Sequence, residues 1–134
     1  MFDEPDFRRD EVSRQVIGCA FDVHNALGPD QKEHIYRDAL HDLIVQDTPF
    51  DCEPEVEVPV MLRGKQYGTR FVDLVVDETL VIELKAINRA DLTHFRQLGT
   101  NVRHAQATRG LLLNFGAPRL DIWRYEPPDG DEAR

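Results

Sequence analysis

The chain has 134 residues, 41% of them hydrophobic and 31% charged, with a net charge of −9. That length suits one domain with a single core, the composition is that of an ordinary globular protein, and no run of about 18 apolar residues offers a membrane span. The acidic excess argues against nucleic acid as a partner, but residues 1–11 and 126–134 each contribute −3, leaving −3 on the body from Val12 to Tyr125.

The two acidic ends, the second reading EPPDGDEAR, are expected to be flexible and to flank a single domain over residues 12–125. The acidic, polar start is unlike the basic and then apolar start of a secretory signal. Cys19 and Cys52 show no CxxC or His-linked spacing. Both observations suit a protein of the reducing cytoplasm.

From Asp10 to Leu27, the apolar residues Val12, Val16, Cys19, Ala20, Val23 and Leu27 recur at helical spacing, and Gly28 is the expected stop. A second helix is predicted over Gln31–Val45, with Ile35, Ala39, Leu40 and Leu43 inward. The period then changes to two. PEVEVPVML (residues 54–62) reads as a half-exposed strand, Arg63-Gly64-Lys65 as a turn, and Tyr67–Val76 and Leu80–Ala86 as two further strands. A helix over Ala90–Ala107 turns Leu92, Phe95, Leu98 and Val102 inward. Gly110–Phe115 and Leu120–Tyr125 complete the chain as strands. The order ααβββαββ implies an α+β domain with a mixed five-stranded sheet flanked by helices. Because a helix joins the third and fourth strands, those two are expected to run parallel.

The chemistry concentrates in LVIELKA (residues 80–86), an apolar run carrying an acid and a base. Residues i and i+2 of a strand share a face, so Glu83 and Lys85 stand side by side while Leu80, Ile82 and Leu84 face a core. The preceding strand has its own intruder, Asp73, between Val72 and Leu74. A connecting loop with an odd number of residues places Asp73 opposite Glu83, with Val72 and Leu74 on the face of Ile82 and Leu84; a two-residue loop puts Asp73 on the wrong face. Two close carboxylates repel unless a cation lies between them, and Mg²⁺ prefers such oxygens. A nearby lysine stabilises developing charge on a phosphate. On spacing alone the trio reads equally well as a salt-bridged group at a sheet edge. Arg89, Arg96 and Arg103 recur every seven residues on one side of a helix, and Arg63, Lys65 and Arg70 flank a turn. Either cluster suits a solvated surface as well as a phosphate contact.

Asp73…Glu83-Leu84-Lys85 resembles the core of the PD-(D/E)xK nuclease-like superfamily, and the surrounding text resembles its small bacterial GxxExxY family. The matching stretches are Val23-His24-Asn25-Ala26-Leu27-Gly28-Pro29-Asp30, Glu33-His34-Ile35-Tyr36, IELKA at 82–86, Gln97 and LLLNFG at 111–116. The resemblance implies a restriction-endonuclease-like core and a Mg²⁺- or Mn²⁺-dependent hydrolase of nucleic acid. Glu33, Asp73 and Glu83 would be metal ligands, Lys85 would polarise the attacking water, and Gln97 would reach the site from a later helix. His24 and Tyr36 would order the turn around Glu33. Three positions depart from the family pattern: Asp30 replaces its glycine, Phe71 stands where a basic residue is common, and Asn101 replaces a tyrosine. The alternative is a catalytically silent nuclease-like domain that binds a protein or nucleotide. A homodimer or protein partner is compatible with a module of this size.

Overall fold

The computed structural model describes residues 4–128. Its elements run α1 (Glu4–Leu27), α2 (Glu33–Asp47), β1 (Cys52–Leu62), β2 (Lys65–Val76), β3 (Leu80–Lys85), α3 (Leu92–Ala105), β4 (Arg109–Asn114) and β5 (Asp121–Tyr125). The α+β order ααβββαββ is the one expected. Residues 4–11, expected to be part of a flexible end, fall within the bounds of α1. Residues 1–3 and 129–134 of the expected ends lie outside the described residues.

The sheet order is β1-β2-β3-β4-β5, with β3 and β4 parallel and every other pair antiparallel. Composition explains the order. Pro54 and Pro59 cannot donate to a ladder on both sides, which suits β1 to an edge. The nearly continuous apolar runs of β3 and β4 suit the centre, where both faces are covered.

Helices α1 and α2 cover one face. Val16, Ala20, Tyr36, Leu40 and Ile44 meet Leu74, Ile82, Leu84, Leu111 and Leu113 there. The stripe on α2 is rotated from the expected one, with Tyr36 and Ile44 fully buried and Ile35, Ala39 and Leu43 half-buried. Helix α3 covers the other face through Leu98 and Val102 against Val58, Val72, Val81 and Leu112. Each such fully buried side chain contributes about 1.5–3 kcal/mol. Leu92, expected inward, is 59% exposed because α3 starts there, behind an Asp91 cap that receives the backbone N–H of Thr93 and His94. Gly110 lets the helix approach β4, since a Cβ there would lie 2.6 Å from Val102 and 2.8 Å from Leu98.

Val72 corrects one expectation. It packs with the α3 cluster, while its neighbour Leu74 packs with the α1–α2 cluster. The β1–β2 hairpin therefore rotates strongly between these residues. Glu55, which falls opposite Asp73 in the β1–β2 pairing, has φ +52° and marks the bend. Beyond it the hairpin curls toward α3 as an arm.

Candidate active site

Strands β2 and β3 pair at Val76↔Leu80, Val75↔Val81 and Leu74↔Ile82 across the turn of residues 77–79. This is the odd-loop register, and its next step brings Asp73 to Glu83. There the backbone ladder ends and the two carboxylates replace it. The Asp73 N–H donates to Glu83 Oε1 (3.0 Å), and the Leu84 N–H donates to Asp73 Oδ2 (2.8 Å). Each acid is clamped by the backbone next to the other. Lys85, two residues further along β3, lies half-exposed on the side of Glu83. Phe71 does not continue the β2–β3 pairing to meet Lys85; it pairs with Glu57 on β1 and is 64% exposed.

From the α2 side comes Glu33, the first residue of that helix and exposed to solvent. Its position depends on Tyr36, which is fully buried, stacks on Phe115 at 4.7 Å between ring centroids, donates to the Gly28 carbonyl and accepts the Gln31 N–H at 3.0 Å. The Tyr36 hydroxyl thus pins the turn leading into α2. His24 is buried, with Nε2 3.0 Å from the Ala117 carbonyl oxygen, and ties α1 to the β4–β5 connection; it has a structural role. Gly28 adopts the left-handed backbone (φ +71°), whereas Asp30 does not, so Asp30 carries no left-handed strain. Arg37, one turn after Glu33, pairs with Asp38 at 3.2 Å and reaches Glu55 at 3.8 Å.

From the α3 side comes Asn101, 3% exposed, whose Nδ2 donates to Glu83 Oε2 at 2.9 Å and whose Oδ1 accepts from Arg70 Nε at 2.5 Å. The residue read from sequence as a departure joins a β2 cation to the central acid. Gln97 lies exposed one turn earlier and makes no side-chain hydrogen bond among the described residues. At the end of β3, fully buried Asn114 receives the N–H groups of Ile87 and Gly116 on Oδ1, both at 3.1 Å, and the Phe115 N–H bonds the Lys85 carbonyl at 2.8 Å. The LLLNFG stretch therefore fastens the strand end that carries Lys85. Sequence reasoning gave no site role to Arg37, Glu55 or Asn114, and placed Arg70 only in a turn cluster suited equally to solvent or phosphate. The only hint of Asn114 was its place in that motif, since its partners are backbone groups that no pattern encodes.

Burial, reinforced by the charge of Asp73, pushes the Glu83 carboxyl up to about 7. Burial likewise raises Asp73, against the lowering effect of the Leu84 N–H, Arg37 and Lys85. Glu33 is raised by partial desolvation and then by Asp73, with Lys85 and Arg37 opposing. The Asp73 charge thus raises both Glu83 and Glu33, and nearby cations compensate incompletely. Among the described residues, no group of three or more His, Cys, Asp or Glu side chains is assembled to hold a metal, so Glu33 does not converge with Asp73 and Glu83 into such a cage. Two carboxylates suit a hard divalent cation that keeps most of its water. Asp73 Oδ1, which has no hydrogen-bond partner among the described residues, is the open oxygen of that pair. The donor set therefore fits Mg²⁺ or Mn²⁺ bound through Asp73 and Glu83.

Residues 10–125 match the model of the PD-(D/E)XK nuclease superfamily. A solved structure, the crystal structure of SSO0001, is similar in fold with a TM-score of 0.58 at 20% identity, over 75% of this chain and 52% of that one. The present chain thus spans about half the length of that protein. No curated protein matches the chain. Among the described residues, no helix is long and apolar enough to cross a membrane.

Proposed function

This chain belongs to the PD-(D/E)XK nuclease superfamily, and from that premise we propose that it is a metal-dependent hydrolase of nucleic-acid phosphodiester bonds. One observation carries the reading: Asp73 and Glu83 clamp each other where β2 and β3 part, with Lys85 on the same side of β3. Backbone donors hold one oxygen of each acid and Asn101 holds the second oxygen of Glu83, so both carboxylates are preorganised at little further entropic cost. Asp73 and Glu83 would hold a divalent cation, which would supply charge neutralisation at the phosphate and a more acidic water. Lys85 orients the attacking water and stabilises negative charge as the phosphorus–oxygen bond forms. Glu33, exposed at the margin, accepts a hydrogen bond from water rather than closing a cage. Gln97 faces the substrate from α3. The GxxExxY assignment belongs to this proposal and rests on Glu33 and Tyr36 at the motif spacing, with Asp30 in place of its glycine and Tyr36 bonded to Gly28 and Gln31.

The test is incubation of the purified protein with single- and double-stranded DNA and RNA in Mg²⁺ or Mn²⁺, beside Asp73→Ala and Lys85→Ala. Cleavage by the parent that falls at least ~100-fold in both variants is expected, the range for losing one preorganised charge-stabilising group. No cleavage in any condition by three folded proteins would reassign the domain to ligand binding without catalysis.

A further inference from the structure

In a chain of net charge −9, residues 58–72 contain Arg63, Lys65 and Arg70 and no acid. They form most of the β1–β2 arm. Among the described residues, four of the seven exposed large hydrophobics lie on it: Met61, Leu62, Tyr67 and Phe71, the last two each 64% exposed. Val58 and Val72 pack the arm against α3, but these four side chains stay outside that core, a concentration of exposed apolar surface that suits a ligand. Alternation along β2 puts Thr69 and Phe71 on the side opposite Arg70 and Val72, which face α3, and Phe71 stands two residues along the strand from Asp73. The bulge at Val60/Met61 leaves Tyr67 outside the paired positions of the ladder, its side chain exposed and Lys65 Nζ 5.2 Å from the ring centroid. Arg70 is committed to Asn101, but Arg63 and Lys65 at the tip are exposed.

We propose that this arm, which joins the site through β2, is a stacking platform for single-stranded nucleic acid; the inference rests on the nuclease reading and names its substrate class. Two exposed rings roughly 13 Å apart along one strand suit unstacked bases. Arg63 and Lys65 beside them suit the phosphates between. A duplex hides its base faces and could offer the rings only edges and backbone. Glu57, opposite Phe71, repels phosphate at that point, so the base rather than the backbone meets the ring.

The experiment measures anisotropy of a fluorescein-labelled oligothymidylate of about 20 nucleotides, in EDTA to prevent cleavage, against a duplex of equal length. The single strand is expected to bind at least about tenfold more tightly than the duplex. Tyr67→Ala/Phe71→Ala is expected to cost roughly tenfold or more, while Tyr67→Phe/Phe71→Tyr, which keeps both rings, binds as the parent does. Because these side chains are exposed, circular dichroism and melting should be unchanged. Equal or tighter duplex binding, no binding of the single strand, or no effect of the alanine pair would each overturn the proposal. So would a loss of dimer mass in the alanine variant at unchanged affinity, which would make the arm a contact between copies. Failures separate cleanly. Duplex cleavage dependent on Asp73 but indifferent to the arm removes this inference and keeps the nuclease; ring-dependent binding by a parent that cleaves nothing does the reverse.

Discussion

Glu83 is the residue on which most of the site turns. In the unfolded chain its carboxyl ionises near 4.5, whereas in the fold burial and the Asp73 charge hold the proton until about 7. A group raised in this way lends stability below its unfolded pKa and loses it as pH rises through the folded value. Metal-free protein should therefore lose roughly 3 kcal/mol from this one group between about pH 4.5 and 7, taking 1.36 kcal/mol per pKa unit. Glu83→Gln should flatten that slope and melt higher than the parent at pH 8 in EDTA. A parent whose denaturant stability is level across the window would contradict the account. Asn101 gives a second test. Asn101→Leu leaves Glu83 Oε2 and Arg70 Nε without their partner, at a cost of about 1–3 kcal/mol measurable by urea unfolding. A neutral result would show that the bridge does not hold either group.

At the scale of elements, the turn between α1 and α2 and the end of β3 are fastened by side chains and not by regular ladders. Tyr36→Phe keeps the ring stacked on Phe115 and removes only the hydroxyl that holds Gly28 and Gln31. The expected loss is about 1 kcal/mol, a drop of roughly 3–5 °C in thermal melting. An unchanged melt would mean that the turn holds without it. The helices, the strands and the parallel β3–β4 pair were legible because their apolar periodicities are local. The rotation of Val72 into the α3 cluster was not legible, because it follows from a positive φ at Glu55 and the twist of a long hairpin.

At the scale of the molecule, the site lies where the two faces of the sheet meet, with α2 contributing Glu33 and Arg37 and α3 contributing Asn101. A cation bound there must compete with a proton on Glu83, so Mg²⁺ should raise the melting temperature more at pH 8 than at pH 5. At about a hundredfold excess over the dissociation constant the gain is ~2.7 kcal/mol at the higher pH. Asp73→Ala should remove the effect. An equal shift at both pH values, or one that survives the substitution, would place the cation elsewhere.

Sequence alone determined the order of elements and pointed to the odd-loop register of Asp73 against Glu83, because Leu74 then shares a face with Ile82 and Leu84, although the same pattern misplaced Val72. It also marked Lys85, since a base two residues beyond an acid in a strand shares its side. Tertiary structure decided the rest. Asn101 meets Glu83, Arg70 meets Asn101, and Arg37 and Glu55 act on Asp73 only after a helix crosses one sheet face, another helix covers the opposite face and a hairpin twists. Such contacts join residues far apart in the chain, and no local period records them.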